Sequence, residues 1–464
     1  LNKLIFHITT LNTDFGLDID YAENNNIEQT VNLNAIEMYN KLLLIFGELK
    51  RNYVLLKNPY VLKLNPIIQM SKDIREKYNI FIDEYSKKNK KLLSLKNNLD
   101  KIELGTYFFL STTKHTTEQI IFISNLLKTY TLEEDDKKRA TLFNKFQEDF
   151  DNILGNVTKK YFLKAFDSSR RNIGERIKEK KICRFCNNGI NTTKKVTFDN
   201  KAHIIPEALG NKGLITYEEC DECNSKFGKT IEKDLINFFD IFRVFYGVKG
   251  KNGTPTLKFN DKTQINHYTK KELDGIIKKE NLGLTKELNE NLTVVVSHNI
   301  NFDEKTRTLQ VPLELDNKIA TGNIYKALCK MIISLVEPNE LKYLQNTISW
   351  INSEEKKTYD IPKIASTIIH NMYVDTPKII FYIRKDNDTN LPHIVGEFNF
   401  KCFKYVFIVP FSDKDKLSFT KEEEFKYLMK NFHHYNYIKS WVYHEMNSTI
   451  PKKFIFNMRM EPAK

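Results

Sequence analysis

Four of the six cysteines fall into two pairs, Cys183-x-x-Cys186 and Cys220-x-x-Cys223, with about three dozen residues between the first cysteine of each pair. A Cys-x-x-Cys knuckle turns sharply enough for both thiolates to point at one ion. Two knuckles a few dozen residues apart are the spacing of a structural tetrahedral zinc site. Four thiolates leave no open coordination position, so such an ion holds structure and does no chemistry. The start of the chain, LNKLIFHITTLNTDFG, lacks the basic opening and long apolar core of an export signal. The pairs therefore read as a metal site before they read as disulfides, and the expected compartment is the cytoplasm. Cys329 and Cys402 lie in apolar stretches and read as packing residues.

Between the knuckles runs KAHIIPEALGNKG, residues 201–213, with one histidine, His203, ahead of Ile-Ile-Pro. On its own such a histidine is a structural residue in a turn. The surrounding pattern is strand, loop, strand, helix. VTFDNKAHIIP reads as a strand ending at His203, EALGNKGL as a loop, and ITYEEC as the return to the second knuckle. CNSKFGKTIEKDLINFF reads as one helix with Phe227, Ile231, Leu235 and Phe238 toward a core. Asn224 is by its chemistry a good N-cap for that helix. So short a unit buries too little surface to hold its shape without the clamp.

AHIIPEALGN followed by CDECNSKFG resembles the HNH endonuclease superfamily in its four-cysteine zinc form, whose catalytic unit is the ββα-metal fold. The resemblance covers about 60 of the 464 residues and rests on the zinc spacing, His-x-x-Pro and Cys-Asn occurring in register. It implies a metal-dependent endonuclease that hydrolyses phosphodiester bonds, with DNA as the first expected substrate and RNA the second. His203 is then the general base, a role suited to an imidazole neutral near pH 7. Asn224 is implied to ligate or orient a divalent cation, Mg2+ or Mn2+, that stabilises charge on the phosphate. In many members the residue before the histidine binds the metal, and here it is Ala202. Three carboxylates are candidates for the missing ligand: Glu232 first, on the helix, then Glu207 in the loop, then Asp199, about 13 Å away along an extended strand. An alternative makes His203 itself a ligand, with another group as base. A second reading, which Ala202 favours, is a zinc-held module that binds nucleic acid without cutting it. By analogy with restriction and antiphage nucleases, antiviral defence is the expected setting.

The rest of the chain must position this unit. Its 464 residues suggest two or three domains, and net charge +13 is compatible with a polyanionic partner. No apolar run approaches the roughly 18 residues of a membrane span. The expected architecture is multidomain α+β, in three parts. Residues 1–166 form a mostly α-helical domain, with Leu92, Leu95, Leu99 and Ile102 on one helix face and Phe143, Phe146, Phe150, Ile153, Val157 and Tyr161 on another. Residues 167–247 hold a basic connector and the zinc-stabilised ββα module. Residues 248–464 form a mixed α+β domain for regulation, oligomerisation or docking of an activating partner, starting after the Gly-rich turn VKGKNGTPT. Within it LTVVVSHNINFDEKTRTLQVPLEL reads as a hairpin, helices cover about 322–352, and three strands follow. Lys159 to Arg184 carries ten Lys/Arg against three Asp/Glu. A solvated helix face is the ordinary reading of such a run. Beside the metal motif, Arg170, Arg171 and Arg176 become candidate phosphate contacts, as do Lys226 and Lys229 on the helix.

Overall fold

The computed structural model describes residues 2–11, 14–21, 28–51, 60–87, 89–115, 117–251, 253–259, 264–274, 292–296, 301–303, 308–369, 373–435, 438 and 440–460. It divides into two compact units, Leu1–Gly155 and Asn156–Lys464.

The first unit is α+β. A four-stranded sheet runs in the order Asp14–Tyr21, Asn2–Thr9, Tyr107–Ser111, Ile67–Gln69, with antiparallel pairs. Alternate residues Phe6 and Ile8 are fully buried on the sheet, as are Tyr78 and Ile82 of the helix Lys72–Tyr85. The stripe Leu92, Leu95, Leu99 and Ile102 is buried as its spacing predicts. The sheet is the departure from the helical domain expected here. Its strands are short, and two of them precede residue 60 in sequence whose pattern favours no period. The second expected helix does not run as one element. Asp136–Phe150 passes through a π-helical turn at Asp151–Gly155, and Val157 and Tyr161 are buried beyond the division between the units.

The second unit is built on a six-stranded antiparallel sheet, ordered Val442–His444, Ile364–Ile368, Phe403–Ile408, Ile394–Lys401, Val374–Arg384, Tyr161–Asp167. Its last strand comes from the connector, so the basic run opens as a sheet edge. The three strands read after residue 374 are in place, and the helical stretch 322–352 is three helices, Thr321–Ile333, Pro338–Leu341 and Gln345–Asn352. The hairpin reading holds for Asn301–Asp303 against Thr308–Gln310, while Leu292–Val296 pairs with Gln264–Tyr268. Part of its turn, residues 304–307, lies outside the described residues.

One hydrophobic core runs from Cys183 through Phe227, Phe239, Leu257, Ile332 and Phe407 to Met446. The Gly-rich turn at 248–256 is thus a loop within one core and no break in packing. The helix Ile231–Phe245 and the helix Thr321–Ile333 are neighbours across it, and Phe239 sits 5.7 Å from Phe398 on the sheet. The zinc-motif module is consequently seated on the C-terminal sheet and helices. Among the described residues no helix is long and apolar enough to cross a membrane.

Candidate active site and metal centre

The two knuckles meet. The sulfurs of Cys183, Cys186, Cys220 and Cys223 all lie within 4.8 Å of one another, and Cys186 Sγ is 3.7 Å from Cys220 Sγ. Tetrahedral coordination at about 2.3 Å places sulfurs roughly 3.8 Å apart, so the set fits zinc. The first knuckle turns through Asn187, whose φ of 55° is left-handed, with Asn187 N donating to Cys183 O at 2.9 Å. Hydrogen bonding to the neighbouring Cys183 and Cys220 sulfurs, with burial behind it, pushes the Cys223 thiol up. Four thiolates this close repel one another, and a bound cation would offset that charge. Arg184, inside the first knuckle, binds Glu218 at 2.6 Å and the carbonyls of Ile333 and Val336 at 3.0 and 2.6 Å. It thus caps the helix Thr321–Ile333 while bracing the zinc frame.

A small three-stranded sheet carries the histidine. Leu214–Thr216 pairs antiparallel with Ala202–His203 and parallel with Arg171–Ile173. The strand at His203 has two residues, shorter than VTFDNKAH predicts. Asp221 explains the difference: its carboxylate accepts from the Thr197 hydroxyl and from the backbone of Asp199 and Asn200, which draws the chain off the ladder. Asn211, fully buried, closes the loop. Its side chain donates to Ile205 O and Leu214 O and accepts from Gly213 N and Leu214 N. Gly210 ends the turn Glu207–Leu209 at φ 93°, and a Cβ on Gly213 would lie 2.7 Å from Arg170 Cα. Both glycines of KAHIIPEALGNKG are therefore required by the backbone.

His203 is half-buried, and its Nε2 lies 3.8 Å from Glu207 Oε2. That is an electrostatic contact and too long for a hydrogen bond. Burial lowers the imidazole pKa below its ordinary value, with Glu207 and Glu232 pulling the other way. Ala202 is fully buried. Behind the strand stands a cluster that sequence reading missed. Lys330 Nζ, with no exposure, lies 2.9 Å from Glu219 Oε2 and 2.8 Å from Glu232 Oε1, and donates to His203 O at 3.3 Å. Burial raises the Glu219 carboxyl to about 7, while its two acidic partners raise Lys330 against the effect of burial. Lys330 looks from sequence like one more polar position on an apolar helix, and only its all-round apolar neighbours hinted that it is enclosed.

The expected helix after the second knuckle is two helices, Asp221–Lys229 and Ile231–Phe245. Thr230 donates its hydroxyl to Lys226 O at 2.7 Å, and back-bonding of this kind bends a helix. The apolar face is as predicted, with Phe227, Ile231, Leu235 and Phe238 buried. Asn224 is the fourth residue of the first helix and Cys220 is its N-cap, which corrects the capping role read for Asn224. The break puts Glu232 in the first turn of the second helix, against Lys330. Of the three candidate carboxylates, Glu207 stands beside His203, Glu232 has one oxygen engaged by Lys330, and Asp199 is exposed and paired with Lys178 at 3.0 Å. Among the cations, Lys226 is committed to Asn352 O at 2.8 Å and Glu354 at 3.1 Å. Arg170, Arg176 and Lys229 are exposed, and the guanidinium of Arg171 lies 5.9 Å from the Phe166 ring.

A zinc-type frame, a strand-end histidine and a following helix thus occupy one compact stretch. Residues 173–240 match the HNH endonuclease family model. The HNH match lies mid-chain and takes in the second knuckle, His203, Glu207, Asn224 and Glu232 as well as the first. No curated protein and no solved structure matches the chain.

Proposed function

We propose that the HNH module is a metal-dependent endonuclease that hydrolyses phosphodiester bonds in DNA, with His203 as general base. The observation that carries the reading is the placement of His203. Its half-buried imidazole is fixed at a strand end inside the four-cysteine frame, with Nε2 turned toward the accessible carboxylate of Glu207. A neutral imidazole there accepts a proton from an attacking water. Lys330 fixes the backbone of that residue from behind through His203 O. Glu207 and Asn224 are the groups we assign to a hard divalent cation, Mg2+ or Mn2+, which prefers oxygen ligands and keeps several waters. When bound, that ion supplies charge stabilisation to the phosphate. Glu232 is secondary, because Lys330 holds one of its oxygens.

A second reading is favoured by one feature. Ala202 is fully buried and offers no ligand, which suits a module that binds nucleic acid without cutting it. Incubation of the purified chain with plasmid DNA, and separately with RNA, in Mg2+ or Mn2+ and in EDTA separates the two. Metal-dependent nicking of DNA supports the nuclease. Binding without cleavage under every metal favours the second reading, and cleavage of RNA alone changes the substrate. A role in antiphage defence, and an oligomer or activating partner, are carried as analogy.

A further inference from the structure

Beside the histidine strand lies a cavity of about 600 Å³. The small sheet contributes Asn172, Ile215 and Thr216 to its lining. Asn172, Ile215 and His203 are register partners across the three strands, so their side chains share a face, and Asn172 and Ile215 line the cavity. Lys201, two residues before His203, lines it too. The cavity therefore adjoins the strand end that carries the imidazole.

The charge of the walls is one-sided. Arg170, Lys181, Lys201 and Lys212 line the cavity, and among the described residues none has a carboxylate within 4 Å. Of the two acids on the walls, Asp199 is paired with Lys178, and Glu219 shares the Lys330 ammonium with Glu232. Lys181 decides the matter. It is 8% exposed, and its ammonium stands over the rings of Tyr217 at 4.7 Å and Phe198 at 5.8 Å. A nearly buried cation is costly without an anion, and ring faces compensate only in part. The cavity it lines is polar space open to its ammonium. The exposed cations at the rim, Arg170, Lys201 and Lys212, suit a ligand that continues out of it.

We infer that the cavity is a phosphate-binding subsite that takes a backbone phosphate of the nucleic-acid strand next to the bond presented to His203. Charge-assisted hydrogen bonds from Lys181 and Arg170 hold the phosphate oxygens, and Lys201 and Lys212 screen the strand on either side. The inference rests on the nucleic-acid reading of the HNH module. It adds a register for the strand, which enters over Asn172 and Ile215 and passes His203.

The test is fluorescence anisotropy of the full chain with labelled duplex DNA, single-stranded DNA and RNA, without added divalent cation. Lys181→Met and the rim pair Arg170→Gln/Lys201→Gln are compared with Lys426→Gln, an exposed lysine on another element. Each cavity cation lost should weaken binding roughly tenfold, and each should flatten the slope of log K against log salt by about 0.7 to 0.9. The Lys426→Gln chain should bind as the parent does. The rim pair keeps the test valid where Lys181→Met disturbs folding. Cavity variants that bind with unchanged affinity and slope overturn the inference, even where the parent cuts DNA through His203. Weakened binding in a chain that cuts nothing supports the subsite and removes the nuclease reading. A deoxynucleoside monophosphate that binds as tightly as the strand overturns the strand assignment. A parent chain that binds no nucleic acid overturns both.

Discussion

Lys330 Nζ lies 2.8 Å from Glu232 Oε1, across 98 residues of sequence, and the same ammonium reaches the carbonyl of His203. The C-terminal half is in this way part of the candidate active site. Its helix Thr321–Ile333 supplies the ammonium that two enclosed carboxylates share directly behind the histidine strand. An arrangement of this kind sets geometry more than it adds stability, because enclosing three charges costs about as much as their attraction returns.

Lys330→Met tests that dependence. It keeps the volume of the side chain and strands Glu219 and Glu232 without their cation. Stability should fall by about 3–5 kcal/mol, read as the midpoint of urea unfolding. The triple change Lys330→Met/Glu219→Gln/Glu232→Gln should recover most of it. A single variant as stable as the parent would remove Lys330 from the account.

Zinc should be stoichiometric and structural. Metal analysis should find about one tightly held zinc per chain, lost in Cys220→Ser/Cys223→Ser. In that variant amide exchange should accelerate across residues 182–235, while strands Val374–Arg384 and Ile394–Lys401 keep their protection. Unchanged exchange around the knuckles would show that the four sulfurs hold nothing.

The two carboxylates should separate. Glu207→Gln should raise the Mg2+ concentration needed for half-maximal cleavage by about 10- to 100-fold, as loss of an oxygen ligand does. Glu232→Gln should change stability first, since its bond is to Lys330. Equal metal dependence in both variants would return Glu232 to the metal site.

These contrasts show what was legible. Cysteines within each knuckle are three residues apart, and His203 precedes a proline by three, so local spacing revealed the frame and the candidate base. The face Phe227, Ile231, Leu235 and Phe238 was legible because helical period survives the bend at Thr230. Lys330 and Glu219 were not, because their meaning depends on a contact between segments more than a hundred residues apart. The short strand at His203 was hidden for a similar reason. Asp221, which pulls Thr197, Asp199 and Asn200 away from the ladder, arrives from the following helix. Motif position ranks Glu232 above Glu207, and the turn after Pro206 is what brings the Glu207 carboxylate within 3.8 Å of the imidazole.

The expected pH profile follows from burial of the proposed base. His203 titrates below the ordinary histidine value of 6.5, so above pH 7 it is neutral and competent. As pH falls through the lowered value the imidazole takes a proton and the base is lost. Cleavage at saturating Mg2+ should be level from about pH 7 upward and decline only below about 6.5. Glu207→Gln removes an anion that raises this pKa, so its acid limb should lie lower still. An acid limb above 7 would contradict the assignment.

The most direct measurement is the single-turnover rate of plasmid nicking in Mg2+ by the parent and by His203→Ala, at matched zinc content. We expect the parent to nick and His203→Ala to lose at least about 100-fold in rate while still binding DNA. Equal rates in the two proteins would contradict the central claim.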